Sequence, residues 1–195
     1  VALTELIPMI VGAPPDVAEQ QAKVARSDAL AFVAPVYFVG FPAILKGWIE
    51  RVFSLGFAFG MTAQAWRGDL GGRLPLLTHE KALIIQTTIW DEASYAAGLK
   101  AAMKVLVDDY ALRYPGIKRV EHEYFHAVHG ADESTRRAWL DRAYRLGRLS
   151  RLTALLFPRW CVCLQGAVCA WEWRGRCCSA WPGVRITARS IICRM

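Results

Sequence analysis

The chain has 195 residues, of which 54% are hydrophobic and 21% are charged, and its formal net charge is +7. This length suits a single domain with a sizeable core, and the apolar content excludes an intrinsically disordered chain. Most of the excess positive charge comes from arginines after residue 150, and the body carries no recognisable nucleic-acid-binding motif. We therefore predict no nucleic-acid partner.

The N-terminal residues predict a strand end, a loop and a short helix. The run VALTELIP resembles the end of a strand, and Pro14, Pro15 and Asp16 then form a helix start that continues toward Ser27. Residues 1–150 contain no cysteine, and the first residues lack the basic start and apolar core of a secretion signal. These features predict a cytoplasmic protein.

The rest of the chain is organised around residues 28–59. Residues 30–36 form a short apolar run, the pattern of a strand buried on both faces of a parallel sheet. Pro35 and Gly40 end this pattern, and from Pro42 to Phe53 apolar residues recur at helical spacing. A strand, an aromatic loop and a helix make half of a βαβ unit, in which ligands bind past the carboxyl end of the strand.

The following segments continue the α/β pattern. Residues 56–61 form a glycine-hinged aromatic segment, and the glycine-rich residues 66–77 predict a surface loop, either a hairpin-like excursion or a mobile flap. The later elements are a buried strand, an amphipathic helix, a last strand and a last helix capped by Asp132. Their predicted ranges are 81–88, 96–110, 117–128 and 132–157.

Histidines are concentrated in the last predicted strand. Strand alternation places one set of side chains on a common face: Val120, His122, Tyr124, His126 and Val128. A metal site would need three or four convergent ligands, and His122, His126 and His129 do not follow a standard zinc spacing. We predict no metal site and interpret this face as a polar sheet edge or a subunit contact.

The character of the chain changes after residue 157. Residues 158–195 contain all six cysteines and four of the eight tryptophans, without helical or strand periodicity. The cysteine spacing does not match a zinc module, and Pro158 and Arg159 interrupt the apolar run that a membrane helix would need. We predict a domain over 1–157, a disordered tail over 158–195 and no transmembrane segment.

The run PVYFVGFPAILKGWIERVF, from Pro35 to Phe53, resembles the NAD(P)H:quinone oxidoreductases of the flavodoxin-like fold. The resemblance continues more weakly through KALIIQTT and Tyr95 and fades near Ser150. It implies an α/β fold, a flavodoxin-like doubly wound parallel sheet in a three-layer αβα arrangement. No phosphate-binding turn precedes residue 28, so the first strand and phosphate loop of the family are predicted to be missing.

The resemblance also implies a set of site residues. The flavin ring would be walled by Pro35, Val36, Tyr37, Phe38 and Val39. Thr87 and Thr88 would hydrogen-bond its polar edge, although they could instead simply cap the next helix. Trp90 stands where family members often have glycine and would cover the ring. Tyr95 is the catalytic candidate, because a phenol there could stabilise charge on the reduced flavin. Phe59 and Met61 would line the nicotinamide and quinone side.

The function implied by the resemblance is hydride transfer from NADH or NADPH, through bound FMN or FAD, to a quinone or similar acceptor. Two alternatives stay open: a regulatory flavin-binding subunit of a potassium efflux system, and an inactive fragment of such an enzyme. The family relationship further implies a homodimer with active sites at the subunit interface. A peripheral membrane partner also stays open.

Overall fold

The computed structural model describes residues 12–152, 160–164, 167–172 and 176–177, with side chains over 12–147. Within these residues a six-stranded sheet has the order β5-β4-β1-β6-β7-β8. Its strands are β1 (Ala29–Pro35), β4 (Lys81–Thr87), β5 (Arg119–Phe125), β6 (Trp160–Leu164), β7 (Ala167–Glu172) and β8 (Arg176–Cys177). The first four strands of the chain in this sheet are parallel, and β7 and β8 are antiparallel to their neighbours.

Helices cover both faces of the sheet. One layer contains α1 (Pro15–Ala25), α2 (Ala43–Val52) and a helical segment over 92–113, while α4 (Glu133–Leu152) forms the other layer. The helical segment consists of Glu92–Ser94, Tyr95–Leu99, Lys100–Met103 and Lys104–Arg113, with π-helical turns and a kink at Gly98, where φ is 132°. The predicted helix over 96–110 therefore begins earlier and ends later than expected.

The alternation of side chains along the strands divides the core in two. Phe32 and Ile84 point to the layer of α1 and α2, where Leu45 and Ile49 pack on them. Leu83 and Ile85 point to the opposite layer and pack with Trp139 of α4. This is the three-layer αβα arrangement predicted from the sequence, and it brings the carboxyl ends of β1 and β4 side by side.

A small hairpin lies outside the main sheet. Strands β2 (Phe59–Met61) and β3 (Arg73–Pro75) pair antiparallel, with α3 (Ala63–Trp66) and a 3-10 turn (Leu70–Gly72) between them. The hairpin-like alternative for residues 66–77 is the one observed. Leu77 then donates its amide to Pro115 O at 2.9 Å, beside the starts of β4 and β5.

The last strand departs from its prediction at its carboxyl end. Strand β5 ends at Phe125, and Ala127 has a left-handed backbone with φ of 51°. Because this residue redirects the chain, Val128 packs with Leu83 and Ile85, on the face opposite to Val120. The prediction that Val128 shares the histidine face was wrong, whereas His122 and Tyr124 do stack, with ring centroids 4.1 Å apart. Among the described strands β5 lies at the sheet edge, as expected, although the His122 and Tyr124 side chains are buried.

The two ends of the chain are only partly described. The VALTELIP strand end lies outside the described residues, so the missing first strand and phosphate loop stay a prediction. In the tail, three described strands lie within the range for which we predict disorder, and β6 pairs with β1 on the side away from β4. Most of 158–195 lies outside the described residues, and the domain boundary also stays a prediction. In the described part of the chain no helix is both long and apolar enough to cross a membrane.

His79 gives the fold a pH dependence that can be measured. Its ring is buried, and Nε2 lies 3.0 Å from Val24 O, which as an acceptor requires Nε2 to carry the proton. Burial lowers the pKa of His79, so below about pH 6.5 the unfolded chain takes up a proton that the folded chain does not. We expect the free energy of unfolding to fall between pH 7.5 and pH 5, as measured by urea denaturation. His79→Asn should reduce this slope, and an unchanged slope would contradict the assignment.

Candidate functional site

The carboxyl ends of β1 and β4 carry an exposed apolar rim. After β1, Val36 donates its amide to Thr87 O at 2.8 Å, which joins the two strand ends. The next residues form a tight turn closed by two hydrogen bonds between Tyr37 and Gly40, at 3.1 and 3.0 Å. Phe38 lies at the tip of this turn and is 105% exposed. The side chains of the rim are largely exposed: Tyr37, Phe38, Val39, Ile89 and Trp90.

The turn has an unusual backbone for its sequence. Phe38 and Val39 have φ angles of 43° and 62°, in the left-handed region that favours glycine. A β-branched residue in this conformation is strained, and such strain is often found at ligand sites. The turn is therefore the strongest local indication that this strand end is shaped for a purpose other than stability.

Relief of this strain gives a direct test. Val39→Gly is expected to raise the free energy of unfolding by about 1 kcal/mol, because glycine adopts the left-handed region without a Cβ penalty. The matched control is Val105→Gly on the exposed face of the helical segment, which should lower stability by about 0.5 kcal/mol through lost helix propensity. Urea denaturation measures both. A loss of stability in Val39→Gly would show that the turn is not strained.

The threonines at the end of β4 have local partners. Thr88 is buried, its amide donates to Phe125 O at 2.9 Å, and its hydroxyl accepts the amide of Trp90 at 3.1 Å. The alternative role of the threonines, capping the next helix, is filled by Asp91, whose Oδ1 accepts the amide of Ser94 at 2.8 Å. Thr87 is half-buried and its carbonyl pairs with Val36. Both threonines therefore lie at the predicted strand end.

Tyr95 does not reach the surface. Its side chain is fully buried between Tyr124 and His126, with ring centroids 5.1 and 4.9 Å away. Its hydroxyl has no hydrogen-bond partner among the described residues. Tyr95 packs with Val36 and Met103, below the rim rather than on it. The predicted catalytic role of this phenol is not supported by direct exposure to the rim.

Phe59 and Met61 are not brought to the rim. Phe59 packs on Tyr114 with ring centroids 5.4 Å apart, and Arg73 lies over the same tyrosine ring. Tyr114 follows the carboxyl end of the helical segment, close to the starts of β4 and β5. Because α2 runs back along the sheet, the hairpin lies near the amino ends of the strands, whereas Phe38 lies at their carboxyl ends. Within one chain, the predicted substrate residues and flavin residues are separate.

A buried polar cluster lies directly beneath the rim. Gln86 of β4 is fully buried and its Oε1 is 2.9 Å from His122 Nε2, while His122 Nδ1 is 2.8 Å from Asp108 Oδ1. Tyr124 stacks on His122, and burial, together with the negative charge of Asp108, raises the pKa of the Tyr124 phenol. Tyr124 therefore stays protonated at neutral pH. His122 and Tyr124 were predicted from strand alternation to share a face, whereas Gln86 and Asp108 were not identified from the sequence.

A polar pocket of about 430 Å³ opens beside β5. Its lining includes Glu92, Lys100, His126 and Arg142, and none of the predicted flavin residues. Arg142 is paired with Glu123 of the strand. Among the described residues no group of three or more histidine, cysteine, aspartate or glutamate side chains could hold a metal ion.

A comparison with known protein families identifies the class to which this fold belongs. Residues 7–147 match the model of a family described as having a flavodoxin-like fold. The chain belongs to this flavodoxin-like family. The predicted fold class is thereby confirmed.

Named relatives narrow the class. The chain is 29% identical over 143 residues to an uncharacterized NAD(P)H oxidoreductase of Haemophilus influenzae, covering 73% of this chain and 67% of that protein. It is 31% identical over 118 residues to NAD(P)H dehydrogenase [quinone] 1 of Cavia porcellus, covering 58% of this chain but only 40% of the relative. The solved NAD(P)H:quinone oxidoreductase from Methanothermobacter marburgensis has 29% identity, covers 75% of this chain and 73% of that one, and superposes with a TM-score of 0.63. The predicted resemblance to NAD(P)H:quinone oxidoreductases is confirmed.

Proposed function

We propose that the protein is a flavin-dependent NAD(P)H oxidoreductase that passes hydride from NADH or NADPH, through FMN or FAD, to a quinone-type acceptor. The observation that carries this proposal is the rim at the adjoining ends of β1 and β4. Its exposed aromatic and aliphatic side chains offer an apolar surface for a flat ring, at the edge where open α/β sheets bind ligands. The named relatives support the same class of reaction.

The residues of this chain would bind and orient the cofactor. Tyr37, Phe38 and Val39 would pack on one face of the flavin ring, and Trp90 would cover it from the end of β4. The half-buried Thr87 would hydrogen-bond the polar edge of the ring, and the buried Thr88 hydroxyl accepts the Trp90 amide and so positions that residue. The flavin supplies the redox chemistry when bound. The apolar rim would keep water away from the reacting face.

Flavin titration tests the proposal. Riboflavin, FMN and FAD are each added to the full chain while flavin fluorescence is followed, and NADH and NADPH oxidation is then measured with a benzoquinone acceptor. We expect saturable quenching and flavin-dependent turnover, and the three flavins compared show whether a phosphate or adenylate adds affinity. Absence of quenching by all three would overturn the proposal.

A rim variant gives the assay its internal control. Phe38→Ala combined with Val39→Ala is expected to weaken flavin binding about tenfold or more through lost apolar contact. Leu70→Ala removes a comparably exposed aliphatic side chain from the 3-10 turn between β2 and β3, and should leave the affinity unchanged. Equal affinities in the two variants would remove the rim as the binding surface.

The proposed active unit is a homodimer. The exposed rim is apolar. In a single chain, Phe59 and Met61 lie near the amino ends of the strands, whereas Phe38 lies at the carboxyl ends. A substrate-binding role for these two residues therefore requires that a second copy place its hairpin over the rim. Sedimentation equilibrium is expected to give twice the chain mass, and a monomer would exclude the substrate role of Phe59 and Met61.

We also propose a cytoplasmic location, because residues 1–150 contain no cysteine. The named relatives do not favour the alternative role as a regulatory subunit.

A further inference from the structure

Gln86 connects the interior of the sheet to the rim. Its side-chain nitrogen lies 3.3 Å from Gly40 O and 3.5 Å from Pro35 O. Gly40 closes the turn that carries Phe38 and Val39, and Pro35 is the last residue of β1. The Gln86 amide therefore ties both ends of the strained turn to the neighbouring strand, from a fully buried position.

The two carbonyls fix the orientation of the Gln86 amide. Carbonyl oxygens only accept hydrogen bonds, so the NH₂ group of Gln86 must face Gly40 and Pro35, and Oε1 must face His122. His122 Nε2, at 2.9 Å from Oε1, must then donate a proton. The histidine thus prevents the amide from turning over, which would place two acceptors against each other.

The other ring nitrogen of His122 has an acceptor of its own. Nδ1 lies 2.8 Å from Asp108 Oδ1, and the two side chains are only 5% and 7% exposed. The Tyr124 hydroxyl lies 3.2 Å from the same nitrogen. These two contacts hold the ring in place, and the proton on Nε2 keeps the Gln86 amide in a single orientation.

We propose that Gln86, held by His122 and Asp108, is a positioning residue that fixes the rim turn in its flavin-binding conformation. This inference rests on the proposed function, because it assigns the turn to flavin binding. The three residues do not touch the flavin face. They act through the backbone of Pro35 and Gly40, by preventing the strained turn from relaxing when no ligand is bound.

Paired glutamine variants test the proposal. Gln86→Leu removes the donor to both carbonyls and is expected to raise the flavin Kd about tenfold, because the turn must be ordered at the expense of binding. Gln21→Leu is the matched control. Its amide also donates to a backbone carbonyl, Val52 O at 3.1 Å, but at the far end of α2. The control should keep the wild-type affinity, and equal affinities in the two variants would overturn the proposal.

Two measurements separate this inference from the flavin assignment itself. Amide hydrogen exchange of Tyr37 and Gly40 should be faster in Gln86→Leu than in Gln21→Leu without any flavin present. Nitrogen-15 spectra of the wild-type histidines should show a proton on His122 Nε2. Unchanged exchange, or a His122 Nε2 without a proton, would overturn the positioning role even if Gln86→Leu fails to fold. Loss of flavin binding by the wild type, with both results as expected, would instead overturn the proposed function alone.

Discussion

Replacing Asp108 with alanine is expected to lower the free energy of unfolding by about 2 to 3 kcal/mol. The substitution removes the buried carboxylate that lies 2.8 Å from His122 Nδ1. The histidine keeps the Nε2 proton that the Gln86 contact requires, but Nδ1 is left with only the Tyr124 hydroxyl, 3.2 Å away. Urea denaturation at pH 7 measures the loss.

The matched control is Asp108→Asn, which removes the negative charge but keeps the shape of the side chain. Its amide can either donate to His122 Nδ1 or accept from it, so the buried hydrogen bond persists with either protonation state of that nitrogen. We expect this variant to lose about 1 kcal/mol, less than the alanine variant. Equal losses in the two variants would show that the stability does not come from this hydrogen bond.

Gly116→Ala is expected to lower the free energy of unfolding by about 3 kcal/mol or more. Gly116 has a φ of 120°, and a Cβ atom built on it would lie 2.2 Å from Leu77 O. Leu77 cannot retreat easily, because its amide donates to Pro115 O at 2.9 Å. Both backbone strain and steric overlap therefore oppose the methyl group, and thermal or urea unfolding would report it.

The same chemical change elsewhere should have the opposite sign. Gly47 lies within α2, its backbone is helical, and a Cβ there would meet no atom within 4 Å. Gly47→Ala is expected to raise the free energy of unfolding by about 1 kcal/mol through helix propensity. Similar effects at both positions would show that the close approach at Gly116 does not constrain the fold.

Much of the fold could be predicted from local patterns. The apolar run of β1 and the helical spacing of α2 give these elements within a residue or two, because burial on both faces and an amphipathic stripe each leave a direct pattern. The strand that pairs with the second edge of β1, away from β4, could not be predicted. Its register with β6 depends on a segment without strand periodicity, far away in the sequence.

The candidate site was predicted less completely than the fold. The aromatic loop after β1 was identifiable because proline and glycine mark the strand end. Gln86 was missed since it appeared as one polar residue within an apolar strand, and its partners, Asp108 and His122, lie on other elements. A buried strand seldom carries an amide side chain, so Gln86 itself was the sequence signal that could have indicated a buried polar cluster. Phe59 and Met61 were assigned to the site because they lie close to the aromatic loop in sequence. The α2 helix between the loop and these residues, however, returns the chain to the amino ends of the strands.

The order of the strands has a consequence for how the molecule is made. Ala29 pairs with Lys81 on one side and with Trp160 on the other, so the central strand waits for partners that are synthesised much later. Long-range parallel pairing of this kind slows folding and leaves strand edges open in the meantime. Among the described strands, β1 therefore has both edges unpaired until β4 has been synthesised, and one edge unpaired until β6 has been synthesised. We expect nascent chains that end before Trp160 to be the form most dependent on chaperones.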